Sequence, residues 1–162
     1  MRGEKMELQP PPELTKSLQE FTETHPDPTK IGFIMMRFRK ENDPIIASIK
    51  SAFLAHRLKV MAASEHPFHP DLLPNVKTYM WGCGFGIAVY DRLAAEDFNP
   101  NVSFELGYMI ALQTPVLIFL DTEIPTLFAD IAAKLYEPFE PLSDLGSIPP
   151  AVERFVLARR LS

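Results

Sequence analysis

From Lys30 onward, uniformly apolar runs alternate with segments whose apolar residues recur every three or four positions. Ile31–Phe38 (IGFIMMRF) is a continuous apolar run, the mark of a strand buried on both faces. Asn42 or Asp43 followed by Pro44 signals a helix start, with the cap oxygen taking orphan amides and proline set in the first turn. Ile45, Ile49, Phe53 and His56 then recur at helical spacing. Leu58–Ala62 reads as a short second strand, and EHPFHPD as a turn. Asp71–Trp81 reads as a helix with Leu72, Val76, Tyr79 and Met80 on one face. Gly82–Gly86 ends it, and Phe85–Tyr90 (FGIAVY) is a third strand. After the loop Asp91–Pro100, the stretch Asn101–Gln113 is helical, its core stripe being Val102, Leu106, Met109, Ile110 and Gln113. Pro115–Leu120 (PVLIFL) makes a fourth strand, Thr126–Lys134 a helix, Leu135–Phe139 a fifth strand and Pro150–Arg160 a closing helix.

Strands alternating with helices of this length imply right-handed βαβ crossovers. The expected fold is therefore α/β, a flavodoxin-like three-layer α/β/α sandwich on a mostly parallel five-stranded sheet. Ligands of such folds sit beyond the carboxyl ends of the strands. Residues 1–29 read as a polar, proline-rich leader, and residues 30–162 as a single domain. The leader holds one helical candidate, Pro12–Phe21, with Leu14, Leu18 and Phe21 on a stripe. It either packs on the body or a partner, or serves as a linker.

Composition narrows the function classes. A net charge of −5 argues against a broad nucleic-acid or anionic-membrane surface. Cys83 is the only cysteine, which excludes an internal disulfide and fits a reducing compartment. No apolar run approaches the roughly 20 residues of a spanning helix, and MRGEKMELQPPPE lacks the apolar stretch of a signal peptide. A cytoplasmic protein without nucleic-acid or membrane partners is expected.

Several motifs fall away on inspection. Gly82-Cys-Gly-Phe-Gly86 invites a dinucleotide-loop reading, but that loop needs a strand before the glycines and a helix after them. Here the order is reversed, so a helix terminus entering a strand is expected. There is no Walker loop and no GxSxG elbow. His66 and His69 lie in a proline-rich turn beside Glu65 and Asp71, without the ligand spacing of a zinc site. No metal is expected. Cys83 lacks a nearby cation to activate it and reads as a buried thiol.

The informative stretch is DRLAAEDFNPNVSFELGYMIAL, residues 91–112. Asn99-Pro100-Asn101 supplies a cap and a first-turn proline. Glu105 follows within two turns, on a face shared with Tyr108 and Leu112 and offset from the core stripe. A carboxylate so placed lies near the rim where open α/β folds bind ligands. The plainer explanation is an acidic residue offsetting the helix macrodipole.

The run NPNVSFELGYMIAL, entered from GIAVYD and followed by PVLIF, resembles the hallmark of two related superfamilies. One is the bacterial Toll/interleukin-receptor-like (TIR-like) nucleotide-binding domains, the other the nucleoside 2-deoxyribosyltransferases. The resemblance extends from about Ile31 to Phe139, and its specific part is the ELGY block with the preceding NPN. It implies that Glu105 serves chemistry at an N-glycosidic carbon, with NAD or a related nucleotide as substrate and no resident cofactor. In the loop after the first strand, which faces the same rim, Arg37 is a candidate to hold a phosphate in fork geometry with Phe38 covering a base, although a solvated arginine on an ordinary loop is the alternative. Asp91 is a candidate for ribose hydroxyls, as are Asn99 and Asn101, and Tyr108 either flanks the site or packs under the fourth strand. Self-association or a partner protein, and a role in prokaryotic antiviral defence or stress signalling, belong to the same implication.

Two departures separate the chain from the deoxyribosyltransferase pattern. Many of those enzymes carry an aspartate six residues before the glutamate, where this chain has Asn99. They open with a glycine-proline sugar loop, where this chain has Met-Met-Arg-Phe. The expected activity is therefore an NAD glycohydrolase-type N-glycosidase, with a deoxyribosyltransferase-like enzyme or a non-catalytic nucleotide sensor or adaptor as alternatives.

Overall fold

Strands β1 (Ile31–Met35), β2 (Lys59–Met61), β3 (Phe85–Tyr90), β4 (Val116–Asp121) and β5 (Glu137–Phe139) form one sheet in the order β2-β1-β3-β4-β5. These come from a computed structural model that describes residues 8–92, 99–124, 136–141 and 143–161. All pairings are parallel, with Gly32 opposite Val60, Ile34 opposite Ile87, Ala88 opposite Ile118 and Leu120 opposite Pro138. This is the flavodoxin-like order, whose direction of winding reverses between β1 and β3.

The strict alternation of side chains along each strand separates two cores. Helices α2 (Asp43–Ala55) and α5 (Ile148–Arg159) cover one face. There Ile45, Ile49, Phe53, Val152 and Val156 meet Ile34, Phe85, Ile87, Val89 and Phe119. Helices α1 (Thr15–Thr24), α3 (Leu72–Gly82) and α4 (Pro100–Ala111) cover the other. Phe21, Tyr79, Met80, Leu106 and Met109 there meet Phe33, Met35, Ala88, Tyr90 and Ile118. Gly32 is demanded by this packing. The Phe85 ring stacks on Phe53 at 5.0 Å and lies so close that a Cβ at Gly32 would fall 2.2 Å from its Cε2.

The leader helix packs on the body. Leu14 and Phe21 are fully buried, and Ser17 Oγ shares a 2.8 Å hydrogen bond with Thr78 Oγ1 of α3. The Phe21 ring lies 5.0 Å from Phe68 and 5.7 Å from Tyr79.

Element boundaries shift for identifiable reasons. β1 ends at Met35, opposite Ala88 of β3, so Arg37 and Phe38 lie in the loop after it rather than in the strand. Neither Asn42 nor Asp43 caps α2 through its side chain: Asn42 is fully buried and its amide has no protein partner. Helix α4 stops at Ala111, and Gln113 takes a left-handed φ of 61°. Helix α5 begins at Ile148, which puts Pro149 and Pro150 in its first turn, where their missing amides cost nothing. The expected helix Thr126–Lys134, and Leu135 of the fifth strand, lie outside the described residues.

The glycine segment behaves as its order required. Helix α3 ends at Gly82, Cys83 N donates back to Tyr79 O, and β3 starts at Phe85. Cys83 is buried, and burial pushes its thiol up, away from reactivity. No helix among the described residues is long and apolar enough to cross a membrane.

Candidate functional site

Where the winding reverses, a cleft of about 430 Å³ opens beyond the carboxyl ends of the strands. Ile34, Met36 and Arg37 of β1 and its following loop line one part of it, and Ala63 and Ser64 after β2 another. The first turns of α3 and α4 complete it. Asn75 of α3 fixes the β2–α3 turn in place: its Oδ1 accepts from Phe68 N at 2.9 Å and its Nδ2 donates to Ala63 O at 2.9 Å. Tyr79 adds a hydroxyl bond to His66 O at 2.8 Å. The cleft wall is thus tied to the helix beneath it.

Glu105 sits in this cleft from the second turn of α4. Among the described residues no hydrogen bond or salt bridge engages its carboxylate. Burial pushes its pKa from the ordinary 4.5 up to about 7. A helix N-terminus favours the ionised form and would pull the value down. Glu105 lies beyond the first turn of α4, the turn in which the macrodipole acts, so dipole compensation does not account for it, and desolvation by burial is what raises its pKa. The neighbouring Tyr90 phenol is also raised, chiefly by burial, against a 3.0 Å hydrogen bond with Ser103 Oγ that lowers it, with the Glu105 charge raising it further.

Five of the seven residues picked from the sequence converge here: Arg37, Phe38, Asn99, Asn101 and Glu105 all line the cleft. Asn99 also caps α4, its Oδ1 accepting from Asn101 N at 3.0 Å. The other two do not line it. Asp91 is buried just after β3. Tyr108 leans toward α3, where its hydroxyl accepts from Trp81 Nε1 at 3.0 Å. Its ring packs against the second core and is not part of the cleft lining.

Sequence reasoning passed over Phe104, Leu72 and Leu73, which also line the cleft. A signal was present for Phe104, an aromatic residue off the Val102–Leu106–Met109 stripe and therefore facing away from the core.

A second, smaller cavity of about 180 Å³ lies past β4 and β5. Its buried Asp121 accepts from the backbone amides of Arg92 and Glu123, and the Arg92 guanidinium comes within 3.5 Å of it. That carboxylate is already satisfied by the protein. Among the described residues no group of histidine, cysteine and acidic side chains is arranged to hold a metal ion.

No protein-family model matches the chain, and no curated protein matches it. Among solved structures it is similar to the rubredoxin oxygen:oxidoreductase of the anaerobe Desulfovibrio gigas, with a TM-score of 0.49 and 13% identity. The similarity covers 88% of this chain and 38% of that one, so this chain spans well under half of that protein's length. The likeness says nothing of the chemistry of the cleft.

Proposed function

We propose that this chain is a TIR-like nucleotide-processing domain that cleaves the N-glycosidic bond of NAD or a related nucleotide, with Glu105 as the catalytic carboxylate. One observation carries the reading: an acidic side chain with no hydrogen-bond or ion-pair partner among the described residues, desolvated, in an open cleft at the switch point of the sheet. The resemblance of the NPNVSFELGY block supports it, because that block delivers this glutamate to the cleft.

The chemistry follows from the charge that develops. As the bond between ribose C1′ and the pyridinium nitrogen breaks, its electron pair goes to the ring, which leaves as neutral nicotinamide. Positive charge gathers on C1′ and the ring oxygen of the sugar. An ionised Glu105 stabilises that oxocarbenium character in a poorly solvated site, where one charge acts strongly on another. Water then adds to C1′ and releases a proton to solvent. No acid is needed at the leaving group, so one carboxylate suffices, unlike the paired carboxylates of ordinary glycoside hydrolysis. Arg37 is placed to take a phosphate through its planar fork, and Asn99 and Asn101 to meet sugar hydroxyls. Self-association in a defence or stress response belongs to the same reading, so the protein is assayed concentrated.

The test is nicotinamide release from NAD at pH 8 by the wild type and by Glu105→Gln. The wild type is expected to turn NAD over, with the variant slower by at least about a hundredfold, the scale of losing one preorganised charge. Equal turnover in both rejects the assignment. Tight nucleotide binding without product in any assembled state makes the domain a sensor instead.

A further inference from the structure

Among the described residues, Phe38, Leu72, Leu73 and Phe104 are large apolar side chains left 47%, 80%, 50% and 52% exposed, and all four line the Glu105 cleft. Scattered singly, such residues need no explanation; gathered at one opening they mark a binding surface. The two aromatic rings come from separate elements, Phe38 from the loop after β1 and Phe104 from the first turns of α4. Among the described residues, Phe104 meets another ring only at its own helix neighbour Tyr108, 6.2 Å away, and Phe38 meets none. Both therefore keep a π-face for a ligand.

The charges in the cleft narrow what that ligand is. Among the described lining residues Glu105 is the one anion and Arg37 the one cation. A neutral planar ring seated between the phenylalanines would strip more water from the carboxylate and give nothing back. A planar cation pairs with that carboxylate and gains attraction from the aromatic faces as well. A single guanidinium engages one phosphate group through its planar fork, as the nicotinamide-side phosphate of NAD or of its mononucleotide would offer.

We infer that the cleft takes a ribonucleoside monophosphate of a pyridinium base, its cationic ring held between Phe38 and Phe104 above Glu105 and its phosphate on Arg37. This deepens the proposed N-glycosidase reading and rests on it for the placement of the sugar beside Glu105. Phe38 and Phe104 act here by setting specificity, since neither touches the bond that breaks.

The test is calorimetric titration of the full chain with two carbocyclic probes, the analogues of nicotinamide mononucleotide and of adenosine monophosphate. Lacking the ring oxygen, neither can form an oxocarbenium ion, so binding is read without cleavage. The pyridinium analogue is expected to bind at least about tenfold more tightly than the adenine one. Phe104→Ala and Phe38→Ala should each erode that preference several-fold, and Arg37→Ala should weaken both probes alike. Equal or tighter binding of the adenine analogue overturns the inference, as does binding of neither probe, or a pyridinium preference that survives both alanine variants. The two readings fail separately. Preferred binding of the pyridinium probe with no nicotinamide released from NAD or nicotinamide mononucleotide sinks the enzyme and leaves the recognition. Glu105-dependent cleavage of NAD without the preference does the reverse.

Discussion

Replacing Glu105 by glutamine should make this protein more stable, by an amount that grows as pH rises from 4.5 to about 7. The folded pKa is raised, so the folded state holds its proton where the unfolded chain has lost it. Stability from the neutral carboxyl is fully present below pH 4.5, declines as pH rises, and is gone above about 7. The interval from 4.5 to about 7, at about 1.4 kcal/mol per pH unit, amounts to at most about 3.5 kcal/mol. Glutamine mimics the neutral acid and never meets that cost. Urea unfolding of both proteins at pH 5 and pH 8 isolates the difference, because every other group titrates alike in the two. The variant should lead by about 3 kcal/mol at pH 8 and by less than about 1 kcal/mol at pH 5. A lead that does not change with pH, or a variant weaker at pH 8, would refute the desolvation argument. A stabilised and inactive variant would fit a carboxylate kept at a cost for chemistry.

Other perturbations probe the frame around the site. Gly32→Ala drives a methyl group into the Phe85 ring and should cost about 1–3 kcal/mol of unfolding free energy, with the Phe53–Phe85 stack displaced. Phe21→Ala should cost about 3–5 kcal/mol in urea melts, because that ring is fully buried against Phe68 and Tyr79; a loss below about 1 kcal/mol would make the leader a dispensable arm. Tyr108→Phe removes the acceptor of the Trp81 indole and should cost about 1 kcal/mol while leaving nucleotide affinity unchanged, whereas a loss of affinity would return Tyr108 to the cleft.

What the chain disclosed of itself follows from how local each signal is. The strands β1, β3 and β4 are buried on both faces, so their apolar runs stand out, and Phe85–Tyr90 matches its strand end to end. The ends of β1 and α4 depend on partners distant in sequence, and those boundaries moved. Asn42 carries a cap residue's identity, yet tertiary packing buried its amide instead. In the site, Glu105 and the asparagines were legible because helix start and rim position are written in one short segment. Arg37 and Phe38 followed from the strand end before them. Asp91 and Tyr108 belong to the same stretch of sequence, but Asp91 is buried after β3 and Tyr108 turns to the Trp81 indole. Phe104, Leu72 and Leu73 needed the fold, since two helices had to meet before their exposure formed one surface.

The account rests on the Glu105 carboxylate meeting a sugar carbon. Crystals soaked with ADP-ribose test that contact directly. The account predicts the terminal ribose lodged in the cleft among Arg37, Asn101 and Glu105, with its C1 within about 3.5 Å of a Glu105 oxygen, a reacting distance. Ribose density elsewhere, or a sugar in the cleft turned with C1 away from Glu105, would contradict it.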